Sequence, residues 1–213
     1  IYEDDYFRNP ELIKSMIKSR LGLSTTIFAR KTVVKEISVQ EARSFLTENH
    51  IQGYANAKYK IGLYNGDCLV AVLTSGNPRF EKHSDLEILR WSVKQGMSIP
   101  GGFSKCLAYL LNVSNAKIIV SYCDLSYSSG NLYEKTGFTL VKVNGPAPWY
   151  FSSKEPWKHN RLQFRKSRLK KILPKYNELL SDWENIQLNG WNRIWDCGTS
   201  VYKFTKENND ITV

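Results

Sequence analysis

The chain has 213 residues, 42% of them hydrophobic and 23% charged, a composition that excludes an intrinsically disordered protein. Lysine and arginine number 30 against 20 acidic residues, so the net charge of +10 favours an anionic partner: nucleic acid, a phosphorylated cofactor or an anionic membrane. No apolar run approaches the roughly 18 residues of a membrane span, and we expect no membrane partner. The four cysteines are widely separated, with no CxxC pair, so we expect no metal site.

The N-terminal part of the chain alternates between helix and strand signals. A helix is predicted from Pro10 to about Arg20, because Asn9 is a good cap and proline favours the first turn. Alternating apolar residues then predict a strand over 31–38. Ser38 and Glu41 form the signature of a capping box and begin a second helix, which continues through Asn49.

The central part reads as strands around one long helix. Residues 58–75 predict a hairpin whose two-residue turn is Asn65-Gly66, and a further strand covers 86–93. A helix is predicted over 103–112, directly after a glycine pair. The apolar run 116–123 is rich in β-branched residues and predicts a buried strand.

The C-terminal part begins with a short helix over 128–135 and strands near 138–143 and 149–152. A second helix is predicted over 176–189, and a strand over 193–204 that is broken at residues 196–198. This order of elements predicts an α+β fold, a mixed α/β sheet with helices on its faces.

Four stretches in the middle of the chain carry a family resemblance: LEILRW (86–91), GGFSK (101–105), IIVSYCD (118–124) and SSGNLYEKTGF (128–138). Together they resemble the acyl-CoA-binding half of GNAT N-acyltransferases. GGFSK is similar to the corresponding stretch of phage proteins related to the Mom DNA-modification protein. The order of ELIKSMI, IFARK, FLTENHIQG, GGFSK, SYCD, NLYEKTGF and IWDCG resembles a GNAT-like domain joined to phage homing endonucleases, over nearly the whole chain.

The resemblance implies a GNAT-like fold, with helices on both faces of a mixed, mostly antiparallel sheet, and acetyl-CoA or another acyl-CoA as cofactor. Glycines at a helix N-terminus let a pyrophosphate approach the unpaired backbone amides closely. The alternative is that the glycine pair only makes a tight turn after Pro100. The predicted cofactor-binding residues are Gly101, Gly102, Phe103, Ser104, Lys105 and Asn131.

Acyl transfer to an amine needs a base for the amine and an acid for the leaving thiolate. By resemblance, Tyr133 is the candidate acid, although it can also be an aromatic that packs its helix. Glu87 and Asp124 lie in otherwise apolar strands, where an unpaired carboxylate is costly, so either is a candidate base. Arg90 can instead pair with Glu87 or reach solvent. His50, in the stretch ENHIQG, is a further candidate site residue.

Residues 154–175 contain nine lysines and arginines and a single acid, interleaved with aromatic residues. Cations neutralise phosphates and exposed rings stack on bases, so this basic aromatic insertion predicts a nucleic-acid partner, DNA first of all. The alternative is a solvated basic surface whose rings lie in the core. The predicted contact residues are Trp157, Lys158, Arg161, Arg165, Lys166, Arg168, Lys170 and Lys171.

Two classes of function remain open on these residues. The first is an enzyme that transfers an acyl group to an amine on DNA or a nucleotide, with a protein or small amine as another acceptor. The second is a non-catalytic DNA-binding domain that follows a nuclease in a homing endonuclease. We expect residues 1–30 to be a helical segment or linker, residues 31–213 to be the GNAT-like domain, and the setting to be the bacterial host cytoplasm during phage infection.

Overall fold

The computed structural model describes residues 1–206 as seven α-helices, a short 3₁₀ turn and twelve strands. The helices are α1 (Glu3–Arg8), α2 (Pro10–Arg20), α3 (Val39–Asn49), α4 (Gly102–Ser114), α5 (Asn131–Glu134), α6 (Lys166–Ile172) and α7 (Asp182–Leu188). The strands are β1 (Thr25–Thr26), β2 (Val33–Glu36), β3 (Tyr59–Asn65), β4 (Cys68–Gly76), β5 (Leu86–Val93), β6 (Met97–Ser98), β7 (Ile118–Asp124), β8 (Thr139–Asn144), β9 (Pro148–Ser152), β10 (Glu155–Asn160), β11 (Trp191–Trp195) and β12 (Thr199–Thr205).

A seven-stranded sheet forms the centre of the fold, in the order β2-β3-β4-β5-β7-β12-β8. Its neighbours are antiparallel except β5 and β7, which run parallel and are connected through α4. Helix α4 buries Phe103, Leu107 and Leu110 in the larger cluster on one face. Helix α3 buries Phe45 and Leu46 in a second cluster on the other. The predicted fold, a mixed, mostly antiparallel sheet with helices on both faces, is confirmed.

Strands β5 and β7 diverge after a short parallel contact. They pair only over Leu86–Ile88 and Ile119–Ser121. Beyond that point β5 stays on β4 and β7 stays on β12, so each strand keeps one neighbour while a gap opens between them. Leu89 is an extra residue in the β4–β5 ladder, because Ile88 pairs with Ser75 while Arg90 pairs with the preceding Thr74. Such a bulge bends a strand and ends regular pairing.

Residues 148–195 form a small layer of their own between β8 and β12. Strands β10, β9 and β11 make a three-stranded sheet, and α6 and α7 pack beside it. The core of this layer contains Tyr150, Phe164, Leu169, Leu173 and Ile186. Phe164, one of the two aromatic residues of the basic aromatic insertion, is therefore a core residue. The helix predicted over 176–189 is shorter than expected, because only α7 is regular there.

The N-terminal helices lie across the gap between β5 and β7. On the β5 side, the Gly96 amide donates to Ser15 Oγ of α2 at 2.8 Å. On the β7 side, Arg20 donates to the Tyr127 carbonyl. Lys158 of β10 fixes α1 through Asp4 and Asp5, with Nζ–O distances of 2.7 and 2.6 Å. Helices α1 and α2 thus form a roof over the gap.

Candidate functional site

A cleft of about 560 Å³ fills the gap between β5 and β7. Its walls come from the diverging parts of the two strands, its roof from α2, and its ends from the residues after α3 and from α5. Because Leu89 is an extra residue in β5, the alternation of side chains between the two faces of the sheet is shifted for Arg90 and Trp91. Arg90 donates to the Gly53 carbonyl on the α3 side, whereas Trp91 contacts Phe103 of α4 with ring centroids 5.5 Å apart. The cleft therefore opens toward both faces of the sheet.

The Tyr133 hydroxyl lies in this cleft, on the side of α4 and α5. Its ring stacks on Tyr202, with centroids 5.0 Å apart, and meets Phe103 edge-on. Ser121 Oγ donates to the hydroxyl oxygen at 2.9 Å, which leaves the phenolic proton free to be donated into the cleft. Burial raises the pKa of Tyr133 to about 12, so the hydroxyl is protonated at neutral pH. Tyr133 thus packs against its aromatic neighbours and has a hydroxyl in the cleft, and its role as the acid stays a prediction.

Glu87 has a structural role, which corrects its prediction as a candidate base. The side chain is completely buried, and its carboxylate accepts from Arg79 Nε at 2.8 Å, from Arg79 Nη2 and from the Arg79 amide. A buried carboxylate whose two oxygens are occupied by three donors of one arginine is not available to a substrate amine. Its partner is Arg79, not the Arg90 considered from the sequence.

Asp124 ends β7 and lines the cleft on the α3 side. Its Oδ1 accepts from the Ser126 amide at 2.9 Å, which fixes the carboxylate in the turn after the strand. Its Oδ2 accepts from no side chain or amide within residues 1–206 and is the free carboxylate oxygen of the cleft. Asp124 is therefore the carboxylate of the predicted pair that remains available as a base.

His50 caps the end of α3 and also lines the cleft. The Gln52 amide donates to its Nδ1 at 3.1 Å, so the neutral ring carries its proton on Nε2. Burial, and then the nearby positive charge of Arg90, lower the pKa of His50 to about 4. At neutral pH the ring is an uncharged donor at Nε2, and in this tautomer it cannot act as the base there.

The lowered pKa of His50 predicts a pH-dependent stability. The unfolded chain takes up a proton near pH 6.5 and the folded chain only near 4, so stability falls as the pH drops through that window. We expect the free energy of unfolding to lose about 3 kcal/mol more in the parent than in His50→Asn between neutral pH and pH 4. Asparagine keeps an acceptor for the Gln52 amide, and urea titrations at both pH values measure the difference. Parallel pH profiles for the two proteins would contradict the assignment.

The N-terminus of α4 lies beside the cleft, since Phe103 contacts both Trp91 and Tyr133. Gly101 precedes the helix at φ +78°, where a side chain would be strained, and no side chain caps the helix. The Gly102 amide donates to the Ile99 carbonyl. Within residues 1–206 the amides of Phe103 and Ser104 meet no acceptor, so two donors are left for an anion.

Three other predicted cofactor residues have different surroundings. Gly102 is buried, and a Cβ there would lie 2.9 Å from Ile99 Cγ2, so packing alone requires glycine. Lys105 Nζ donates to the carbonyls of Ala29 and Thr32, at 3.0 and 2.5 Å, and is not free to bind a phosphate. Asn131 is exposed at the first turn of α5 and does not line the cleft.

The basic aromatic insertion is only partly available for a partner. Lys158 is occupied by Asp4 and Asp5, and Lys170 by Glu178. Trp157 is 37% exposed, with the Arg8 guanidinium over its ring. The remaining predicted cations are exposed and have no ion-pair partner within residues 1–206: Arg161, Arg165, Lys166, Arg168 and Lys171.

Arg79 and Arg90 are two charged residues of the cleft that the sequence interpretation did not identify as site residues. Arg79 lies in the loop after β4, and nothing in its spacing points to Glu87. Arg90 was considered as a partner of Glu87 or as a solvent-facing residue, since regular strand alternation gives no sign of the bulge at Leu89. The signal available in the sequence was that two arginines, Arg79 and Arg90, lie near Glu87, an acid in an otherwise apolar strand.

No known protein family matches this sequence, and no curated protein is significantly similar to it. Among solved structures, the ribosomal-protein-S18-alanine N-acetyltransferase from Escherichia coli has a TM-score of 0.49 at 8% identity, over 85% of this chain and 98% of its own. A putative acetyltransferase from Salmonella typhimurium, solved with acetyl-CoA, has a TM-score of 0.48 at 9% identity, over 85% and 99%. A Bacillus subtilis acetyltransferase in complex with CoA has a TM-score of 0.45 at 16% identity, over 82% and 97%. At such low identity, the chemistry of this cleft has to be argued from its own residues.

Two further observations concern the residues described, 1–206. In this part of the chain, no three histidine, cysteine or carboxylate side chains lie close enough together to hold a metal ion. None of its helices has the length and apolar character needed to cross a bilayer.

Proposed function

We propose that this protein is a GNAT-like N-acyltransferase that binds an acyl-CoA in the cleft between β5 and β7 and acylates an amine. The observation that carries the proposal is the divergence of two parallel strands around a cleft that contains the Tyr133 hydroxyl, whose proton has no acceptor within residues 1–206. A thioester arm fits such an opening through the sheet, and the unpaired amides of Phe103 and Ser104 fit its phosphates.

Acyl-CoA, when bound, supplies an acyl group activated as a thioester. The chain supplies the proton transfers. Asp124 is placed to accept the proton of the attacking amine through its free oxygen, and Tyr133 is placed to donate a proton to the departing thiolate. Because the Tyr133 oxygen accepts from Ser121, its own proton is left to be donated into the cleft. His50 would orient the acceptor by donating from Nε2.

We also propose that the protein acts at nucleic acid. The support comes from the five exposed, unpaired cations of the basic aromatic insertion, which can neutralise phosphates without breaking an internal ion pair. The phage setting and the link to a homing endonuclease rest on the sequence resemblance. In the alternative, non-catalytic form of the proposal, these cations would hold DNA while the cleft stays unused.

A substitution at Ser104 tests the cofactor part of the proposal. An aspartate at the third position of α4 favours the helix through its dipole but repels a phosphate at the neighbouring amides. We expect saturating acetyl-CoA to raise the melting temperature of the parent by roughly 5–10 °C and that of Ser104→Asp hardly at all. Differential scanning fluorimetry measures both.

Ser104→Asn is the matched control, because it has nearly the same size and no charge. It should keep most of the shift. Gly102→Asp is unsuitable, since the Cβ would already meet Ile99 and Leu63 and unfold the core. An unchanged melting temperature of the parent at millimolar acetyl-CoA would contradict the proposal.

A further inference from the structure

The Arg90 guanidinium is a fixed positive charge in the wall of the cleft. Its Nε donates to the Gly53 carbonyl at 3.0 Å and its Nη1 to the Leu89 carbonyl at 2.7 Å. Both acceptors are neutral, and no carboxylate lies within ion-pair distance in residues 1–206. The remaining N–H groups, chiefly those of Nη2, are free to bind a ligand.

The surroundings of Arg90 favour an anion. Glu87, the nearest acid on β5, is neutralised by Arg79, and Arg79 itself lines the same cleft. Burial, and then the positive charge of Arg79, lower the pKa of Arg90, and the negative charge of Glu87 offsets them only in part. A half-buried arginine without a counter-ion gains most from an oxyanion that it can bind with two N–H groups.

The opposite wall carries the opposite charge. Asp124 lies on β7 three residues beyond the last paired residue, and Arg90 lies on β5 two residues beyond it. Both face the α3 side, where Arg90 bonds Gly53 and Asp124 borders Ile51 and Gln52. An ammonium group would be attracted to the free oxygen of Asp124 and an oxyanion to Arg90.

We infer that the acceptor of the proposed transfer is an amine that also carries an oxyanion, a carboxylate or a phosphate, which Arg90 binds. The role of this amine as the acceptor rests on the proposed function. The binding of its oxyanion to Arg90 does not. The carboxylate case corresponds to an amino acid or a peptide end, and the phosphate case to an aminoalkyl phosphate or nucleotide.

Binding is tested without acyl-CoA, by titrating isotope-labelled protein with matched probes. The pairs are glycine with glycinamide and 2-aminoethyl phosphate with ethanolamine, and acetate serves as an anion without an amine. The Arg90 Nε–H is protected by Gly53 and gives an observable resonance, assigned by its loss in Arg90→Lys. We expect it to shift with the member of one or both pairs that carries the oxyanion, and not with glycinamide or ethanolamine, which lack it. The pair that responds identifies the source of the oxyanion.

Turnover gives the second readout, as CoA released from acetyl-CoA with the same probes. We expect the anionic member to be preferred in kcat/KM by about tenfold to hundredfold, as for hydrogen bonds to charged groups, and the preference to vanish in Arg90→Gln. Arg43→Gln makes the same change on the exposed side of α3, outside the cleft, and should leave the preference intact.

The outcomes separate the two proposals. If the Arg90 Nε–H resonance responds but none of the probes leads to CoA release from acetyl-CoA, the proposed acyl transfer is contradicted and the binding inference is supported. If probes with and without the oxyanion support CoA release equally well, and Arg90→Gln does not change this, the inference is overturned and the proposed transferase stands. Acetate binding as tightly as glycine, unaffected by Asp124→Asn, would overturn the amine half of the inference.

Discussion

Tyr133→Phe is expected to lower the kcat for acyl transfer by roughly a hundredfold to ten-thousandfold, the range for the loss of a general acid. The reason is geometric: the hydroxyl accepts from Ser121 and its own proton is the donor free to enter the cleft. KM for the acyl donor should change little, because the ring and its aromatic neighbours remain. The stability cost is that of one hydrogen bond, about 1 kcal/mol.

Tyr202→Phe is the control for this change. Tyr202 stacks on Tyr133 and is equally part of the aromatic cluster, but its hydroxyl donates to Glu134 at 3.1 Å and does not face the cleft. It should lose similar stability and keep its kcat. If the two variants have the same kcat as each other and as the parent, Tyr133 is a packing residue and another proton donor has to be found.

The second large effect concerns the exposed cations of the basic aromatic insertion. Each phosphate contact contributes about 0.9 to the slope of log affinity against log salt concentration. Replacing four contacting cations should therefore reduce the slope by about 3.6 and weaken binding to duplex DNA by about a thousandfold near 0.1 M salt. The loss should be similar for unrelated sequences, since phosphate contacts carry no base information. The substitutions are Arg161→Ala, Arg165→Ala, Lys166→Ala and Arg168→Ala.

A matched quadruple variant removes four exposed lysines elsewhere, with an equal change in net charge. It combines Lys18→Ala, Lys58→Ala, Lys117→Ala and Lys142→Ala. Fluorescence anisotropy at several salt concentrations compares the two variants with the parent. Equal slopes in both quadruple variants would show that the total charge matters and the insertion is not the binding surface.

Local signals predicted the elements that local interactions determine. The Ser38–Glu41 capping box begins α3 as expected, with the Glu41 amide donating to Ser38 Oγ at 3.1 Å. The hairpin is present, but its turn is Gly66-Asp67, one residue later than predicted, because Asn65 still pairs with Cys68. The strand expected over 193–204 is broken where predicted, yet β11 and β12 belong to different sheets, which depends on partners far along the chain.

The site was harder to predict, because its charges are balanced over long distances. Lys158 lies in the most basic stretch of the sequence, yet its ion pairs are with Asp4 and Asp5, more than 150 residues away. Glu87 and Arg79 pair across a loop whose length fixes no geometry. Tyr133 was predicted through a family resemblance, whereas the free donors of Arg90 depend on a backbone irregularity that composition does not reveal.

At the bulge around Leu89, the backbone forms the opening of the cleft, whereas the side chains that follow it determine which ligand the cleft binds. The surplus residue follows Ile88, the last residue of β5 that pairs with β7, and a bulge of this kind is an irregularity of the backbone. Side chains beyond the bulge can therefore be exchanged while the sheet stays open. Within such a frame, a new acceptor specificity requires changes only at positions such as Arg90 and Asp124, without redesign of the core beneath them.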